Sequence, residues 1–202
     1  MSSQRRSLLH VGCGPKNQSD LKGFDPQGWR EIRFDIDPRV QPDIQGTLTD
    51  MSRVDTASVD AVYSAHNVEH LFWHEVPVAL REMHRVLRPD GFVVITCPDL
   101  QSVCEFVARD QLTDALYESD LGPIRALDIL YGHQGMIQQG NHHMSHRCGF
   151  TYTTLQNAVL DAGFTPCFGG RRTAPFLDLW LIGFKEHHDE AHVKELAGIY
   201  LP

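Results

Sequence analysis

The sequence predicts one α/β domain built on a mainly parallel sheet. Three observations carry this. An apolar run, Leu8-Leu9-His10-Val11, stops at Gly12 and reads as a buried strand. A helix-periodic stretch lies between two further strand candidates with short connections, the pattern of a parallel sheet with crossover helices. Two closing apolar segments lie near enough in sequence to form an antiparallel hairpin. At 202 residues the chain is long enough to bury a full core as one domain.

In order, the first strand is 8–11. Residues 31–35, Glu31-Ile32-Arg33-Phe34-Asp35, form a second, stopped by Pro38. Residues 43–46 give a third, short one, and 59–63 a fourth. Phe92-Val93-Val94-Ile95-Thr96-Cys97 is β-branched, follows Pro89-Asp90-Gly91 and stops at Pro98; it is the clearest strand in the chain. Val76, Leu80, Met83, Val86 and Leu87 recur at three- and four-residue spacing, which predicts a helix with one apolar face. Pro77 sits in its first turn, where a missing N–H costs little, and Asp90-Gly91 is expected to close it. The 99–150 region has poor periodicity and reads as an insertion, a cap over the sheet within the single domain 1–202. A helix over 153–162 stops at Gly163. Strands over 164–171 and 176–185 follow, and the polar tail 187–202 is expected to be helical.

Composition excludes some functions. The formal net charge is −8, which argues against a broad phosphate-binding surface, so no nucleic-acid partner is expected. No apolar run approaches the roughly 18 residues that span a bilayer, so no membrane partner is expected. Cys13, Cys97, Cys104, Cys148 and Cys167 form no C-x-x-C pair. An odd, irregularly spaced set reads as reduced thiols in a cytoplasmic protein. The oligomeric state stays open, a homodimer among the alternatives.

Gly12-Cys13-Gly14 follows the first strand directly. Two glycines there let the backbone turn tightly and approach a ligand. The third glycine of a dinucleotide fingerprint is absent, since Gly14 leads into Pro15, Lys16 and Asn17. Asp35 ends the second strand, where an acidic side chain accepts hydrogen bonds from ribose hydroxyls. Asp37 is a neighbouring candidate; Asp37-Pro38 also reads as a turn starter.

These blocks, with Ser58-Val59-Asp60-Ala61-Val62-Tyr63-Ser64, Asn67-Val68-Glu69-His70-Leu71 and Arg81-Glu82 followed by Arg85-Val86-Leu87-Arg88-Pro89-Asp90-Gly91-Phe92, resemble the class I S-adenosylmethionine-dependent methyltransferases, in particular the methyltransferase-11-like group. The resemblance covers roughly residues 8–185. It implies a Rossmann-like sheet of seven strands, helices on both faces, the last strand antiparallel. It implies S-adenosyl-L-methionine as cofactor, with Gly12, Cys13 and Gly14 under its methionine part and Asp35, Ile36 and Asp37 at its ribose. Thr47, Leu48, Asp50 and Met51, after the third strand, would lie at the adenine, and His66 and Asn67 on the methyl-transfer side. His10 stands where the family usually has an acidic residue beside the glycine turn. The segment between Gly14 and the second strand carries Pro15, Gly23, Pro26 and Gly28, so a full first helix is not expected.

On the acceptor side His66, His70 and His74 recur at four-residue spacing, which on a helix would share one face. The insertion adds His133, His142, His143 and His146. If the acceptor is a hydroxyl, a base beside it helps; His66 and His146 are the catalytic candidates. His142, His143, His146 and Cys148 match no standard zinc spacing, and no metal site is expected. Arg147, Arg171 and Arg172 either meet an acidic acceptor or solvate the surface, and the Arg171-Arg172 pair reads as solvated surface. The segment Ser64-Ala65-His66-Asn67 lacks the Pro-Pro-aromatic pattern of base-modifying enzymes, which with the negative charge favours a small-molecule acceptor. The competing readings are an inactive binding protein of the same fold and a nicotinamide-dependent oxidoreductase. The latter requires a phosphate-binding glycine turn that the sequence lacks.

Overall fold

The computed structural model describes residues 5–119 and 121–202. Strands β1 (Arg6–Val11), β2 (Trp29–Asp35), β3 (Ile44–Gln45), β4 (Val59–Ala65), β5 (Leu87–Pro98), β8 (Cys167–Arg172) and β9 (Asp178–Phe184) form a seven-stranded sheet in the order β3-β2-β1-β4-β5-β9-β8. The β1–β2, β2–β3, β1–β4 and β4–β5 pairs are parallel. Strand β9 pairs antiparallel with both β5 and β8, so it alone runs against the others. The expected architecture holds, hairpin included.

The predicted helix is α1 (Val76–Val86), which buries Val76, Ala79, Leu80, Met83 and Val86. Its end is not at Asp90-Gly91. Leu87 leaves the helix and pairs with Val59, a bulge follows, and Gly91 lies inside β5. Leu87 is fully buried, so packing decides the boundary ahead of the turn signal. Helix α5 (Tyr152–Asp161) starts on a Thr151 cap, its side chain accepting from the Thr154 N–H. It covers the same sheet face as α1, and Leu155, Val159 and Phe164 join Leu80, Met83, Val93 and Ile95 in one core.

The opposite face lacks a helix between β1 and β2, as expected; only a single 3₁₀ turn, Gln18–Asp20, forms there. The C-terminal helix α6 (Glu190–Tyr200) fills the space. It is helical as expected but not merely polar. Val193, Ala197 and Tyr200 pack with Phe24, Trp29, Phe92 and Phe184 in a second core. Tyr200 lies 4.7 Å, ring centre to ring centre, from both Phe24 and Phe92.

Residues 99–150 begin with α2 (Leu100–Val107), capped by Asp99. A hairpin that periodicity did not reveal follows, β6 (Ala115–Ser119) and β7 (Gly122–Arg125), then α3 (Ala126–Tyr131) and α4 (Gln134–Gln138). Val103, Ala126 and Ile129 of this segment form a small core with Leu177, just before β9. Arg171 and Arg172 are not simply solvated. Arg171 donates to buried Asp99 at 2.7 Å, and Arg172 forks onto buried Asp178. They fasten the base of the insertion and the β8–β9 hairpin. No helix among the described residues is long and apolar enough to cross a membrane.

Candidate active site

The chain runs β1-β2-β3 to one side and returns to place β4 on the other side of β1. In an open α/β sheet the crevice at such a reversal, beyond the C-terminal strand ends, takes the ligand. Strand β1 delivers Gly12-Cys13-Gly14 to that crevice and β4 delivers His66 and Asn67.

Gly12 and Gly14 hold φ of +57° and +52°, a region that side chains with a Cβ disfavour. At Gly12 there is a second reason for glycine, because a Cβ would lie 1.7 Å from Asn67 Oδ1. Asn67 donates from Nδ2 to the Val11 and Ala65 carbonyls, each at 3.0 Å, and so laces the ends of β1 and β4 together. At Gly14 a Cβ would meet nothing within 4 Å. The bare backbone there faces open space that a ligand can enter.

Asp35 ties this turn to β2. Its Oδ2 accepts the Gly14 N–H at 2.8 Å and its Oδ1 accepts the Asp37 N–H at 2.8 Å. Each carboxylate oxygen keeps a further lone pair for a hydroxyl, so the residue fits a ribose. Arg33, which sequence reasoning passed over, braces the same turn by donating to the Gly14 carbonyl at 2.5 Å and to the Val40 carbonyl at 3.0 Å. Asp37 is spent locally. It caps a 3₁₀ turn and forks with Arg39, which holds its carboxyl down at about 2.

The remaining cofactor candidates divide. Ile36 is exposed, Thr47 is exposed and Leu48 is half-buried, so their side chains are available at the sheet edge. Asp50 caps the Ser52 N–H and lines, with Arg81 and Arg85 of α1, a groove of about 540 Å³ whose walls include none of Gly12, Gly14 and Asp35. Met51 is wholly buried in the core and its N–H goes to Glu82. Cys13 is buried, which pushes its thiol up to about 11; its N–H donates to the Phe34 carbonyl at 3.3 Å and its carbonyl accepts from the Lys16 N–H at 3.2 Å, so it serves to shape the turn. His10 is also buried and turned to Glu31, Nδ1 to Oε1 at 2.7 Å, with its ring edge against Tyr63. Burial pulls its pKa below the usual 6.5 despite the Glu31 hydrogen bond.

On the acceptor side the histidines do not share a helix face, since α1 begins only at Val76. His66 directly follows β4 with φ +53°, pinned by its N–H to the Thr96 carbonyl at 2.9 Å. A left-handed φ on a non-glycine residue costs energy and recurs at functional positions; Gln41, Ala57, Asp110 and Leu177 also hold it here, and of the five only His66 lies at the end of β4 beside the glycine turn. Its side chain is 53% exposed, and its Nδ1 lies 3.3 Å from Oε1 of Glu69, whose side chain is 1% exposed. Burial opposes charge on His66, but the Glu69 carboxylate outweighs it and the pKa rises above 6.5. Neither Glu69 oxygen has a hydrogen bond of good geometry.

The insertion reaches this corner. The Arg147 and Cys148 N–H groups donate to the Glu69 carbonyl at 2.8 and 3.2 Å. His70 meets the Ser145 carbonyl through Nδ1 at 3.2 Å, and His146 meets the Ile129 carbonyl through Nδ1 at 2.7 Å. The two rings lie edge to face, 4.8 Å apart. His133 instead caps α4, and His142, His143 and His74 are exposed. The structure therefore unites His66, His70 and His146 around Glu69, while Asn67 turns instead to Gly12 and the β1 end. Sequence reasoning left Glu69 out of the candidate site. The available signal was an acidic residue set among His66, His70 and His74 just after the fourth strand.

Comparison with known proteins agrees with this geometry. A family profile described as "Methyltransferase domain" matches residues 9–95. The chain is 30% identical over 179 residues to the malonyl-[acyl-carrier protein] O-methyltransferase of Dechloromonas aromatica (strain RCB), covering 83% of this chain and 66% of that protein. It thus spans just under two thirds of that relative's length. Among solved structures, the 1,6-didemethyltoxoflavin-N1-methyltransferase of Burkholderia thailandensis, with bound 1,6-didemethyltoxoflavin and S-adenosylhomocysteine, aligns at a TM-score of 0.57 and 21% identity. That match covers 91% of this chain and 72% of the other. A SAM-dependent methyltransferase of Methanosarcina mazei aligns at a TM-score of 0.59 and 13% identity, covering 92% and 95% of the two chains. At these identities the structural likeness speaks for the fold.

Proposed function

The chain belongs to the class I S-adenosylmethionine-dependent methyltransferases, and from that premise we propose that it transfers a methyl group from S-adenosylmethionine to an oxygen of a small-molecule acceptor. The observation that carries the reading is the glycine turn locked onto Asp35, Gly14 N–H to Oδ2 at 2.8 Å, beside a strained, solvent-reaching His66 at the neighbouring strand end.

S-adenosylmethionine supplies a methyl already activated on a sulfonium. The work left to the protein is positioning, which can supply most of the effect in an in-line displacement. Gly14 leaves the backbone bare beneath the methionine part, and Gly12, packed against Asn67, sets the turn that brings it there. Asp35 accepts from the ribose hydroxyls with the lone pairs its backbone contacts leave free. Ile36, Thr47 and Leu48 border the adenine. His66 takes the acceptor's proton when the acceptor is a hydroxyl, and Glu69 holds its ring and favours the imidazolium that forms. An oxygen acceptor also accords with the relative named an O-methyltransferase.

The insertion forms the acceptor wall in this reading, because its segment around His146 and Cys148 is bonded to the Glu69 corner. Release of S-adenosylhomocysteine, followed against a panel of small hydroxy and carboxy acids, tests the activity. Turnover with one class, lost in His66→Ala for hydroxyl acceptors, is expected. Cofactor binding with no turnover on any acceptor would instead mean a binding protein of this fold. Deletion of residues 132–148 is expected to abolish transfer and spare cofactor binding; loss of both would show that the site is misplaced.

A further inference from the structure

We propose that Glu69, His70 and His146 form a binding site for one divalent first-row transition-metal ion. The inference stands on ligand geometry and does not depend on which acceptor is methylated. Sequence reasoning expected no metal, because the ligands come from two distant segments and the carboxylate was not among the candidates weighed.

One ligand atom from each of the three residues lies within 4.8 Å of the other two. Ligands in a tetrahedral site with bonds of about 2.0–2.1 Å sit about 3.3 Å apart, so seating an ion draws these atoms together by up to about 1.5 Å. A carbonyl oxygen only accepts, so the His70 contact to Ser145 and the His146 contact to Ile129 place a proton on Nδ1 of each ring. In the neutral ring this leaves the Nε2 lone pair for a metal ion. A backbone carbonyl holding the far nitrogen of a ligating imidazole is the usual support around protein metal sites.

The carboxylate is the second, independent observation. Glu69 is 1% exposed; His66 Nδ1 approaches Oε1 at 3.3 Å, but neither oxygen has a hydrogen bond of good geometry. A buried carboxylate left this way is costly unless a cation or donor completes it. Two neutral imidazoles and one carboxylate suit zinc, cobalt, manganese or iron(II), whereas magnesium and calcium prefer all-oxygen shells. Three protein ligands leave at least one position for water or another oxygen donor. The ion would also join segment 145–148 of the insertion to the loop after β4, where the backbone already links them.

The test is metal binding by the full chain after chelator dialysis, with Zn²⁺ measured by equilibrium dialysis and Co²⁺ by visible absorption. The expected result is one ion per chain, weakened at least about tenfold in Glu69→Gln, His70→Gln and His146→Gln. The His188–His192 pair, with ring centres 4.8 Å apart, is the competing cluster, so the double variant His188→Gln with His192→Gln must bind as the wild type does. Absence of stoichiometric binding, or binding lost in that control pair and kept in the other three variants, overturns the proposal. Should a ligand variant fail to fold by circular dichroism, X-ray absorption of the Zn²⁺-loaded wild type decides: a shell with two imidazoles supports the site, and an all-oxygen shell refutes it.

Discussion

Gly12→Ala and Gly14→Ala differ by one methyl each at nearly the same φ, yet the structure separates them sharply. Both place a Cβ residue in the left-handed region, which costs roughly 1–2 kcal/mol. At Gly14 the new methyl meets nothing within 4 Å, so the cost ends there. At Gly12 the methyl would overlap Asn67 Oδ1 at 1.7 Å, so the amide must leave. Its two hydrogen bonds, to the Val11 and Ala65 carbonyls, go with it, at about 1 kcal/mol each. Gly12→Ala is thus expected to cost about 3–4 kcal/mol. For a chain of this length each kcal/mol moves the midpoint by roughly 2–4 °C, so the expected drop is on the order of 6–16 °C, against a few degrees for Gly14→Ala. Thermal unfolding by circular dichroism measures both. The interaction is confirmed by a cycle: in an Asn67→Ala background, Gly12→Ala should cost little more than Gly14→Ala does. Equal destabilisation by the two single variants, or an undiminished Gly12→Ala effect without Asn67, would refute the strand lacing described for this crevice.

Other consequences are more direct. Tyr200→Ala removes a 1% exposed ring from the aromatic core that α6 completes, and a loss of about 3–5 kcal/mol is expected in denaturant unfolding; a change under 1 kcal/mol would mean that α6 does not seal that face. His10 is held below its usual 6.5 by burial, so the unfolded state binds the proton more readily. Its contribution to stability is complete above pH 6.5 and falls as pH drops from 6.5 toward the folded pKa. His10→Gln should flatten the fall in unfolding free energy over that window, and an unchanged slope would contradict the assignment. Burial pushes the Cys13 thiol up to about 11 and raises Cys97 well above the ordinary range. At pH 8 a disulfide reagent should therefore modify exposed Cys104 quickly in the native protein and reach Cys13 and Cys97 only on unfolding, as mass spectrometry of digests would show.

Much of this fold was legible because its signals were local and redundant. Strand β5 is β-branched and bounded by prolines, and α1 has an unbroken apolar stripe. Where legibility failed, tertiary packing decided. Leu87 belongs by periodicity to the helix but by burial to β5, so the helix ends earlier than Asp90-Gly91 suggested. The β6–β7 hairpin has only half-buried and exposed side chains, too little alternation to read. The tail looked polar because its buried residues, Val193, Ala197 and Tyr200, are few among charged ones. They matter only because the opposite sheet face has no helix before β2. In the site, Gly12, Gly14, Asp35, His66 and Asn67 were legible from position after a strand. Asp37 and Met51 were not separable from them by position alone, since the Arg39 fork and the core burial are three-dimensional facts. Glu69 was missed because its isolation from hydrogen-bond donors can only be seen once Ser145 and His146 are folded over it.

The central claim is that the crevice at Gly14 and Asp35 holds the S-adenosyl group, and isothermal titration with S-adenosylhomocysteine tests it most directly. The account predicts saturable one-to-one binding by the wild type, loss of at least about tenfold in affinity in Asp35→Ala, consistent with hydrogen bonds to a charged group at about 1.5–3 kcal/mol, and no binding of NAD. Binding of NAD alone, or S-adenosylhomocysteine binding indifferent to Asp35→Ala in a folded variant, would contradict it.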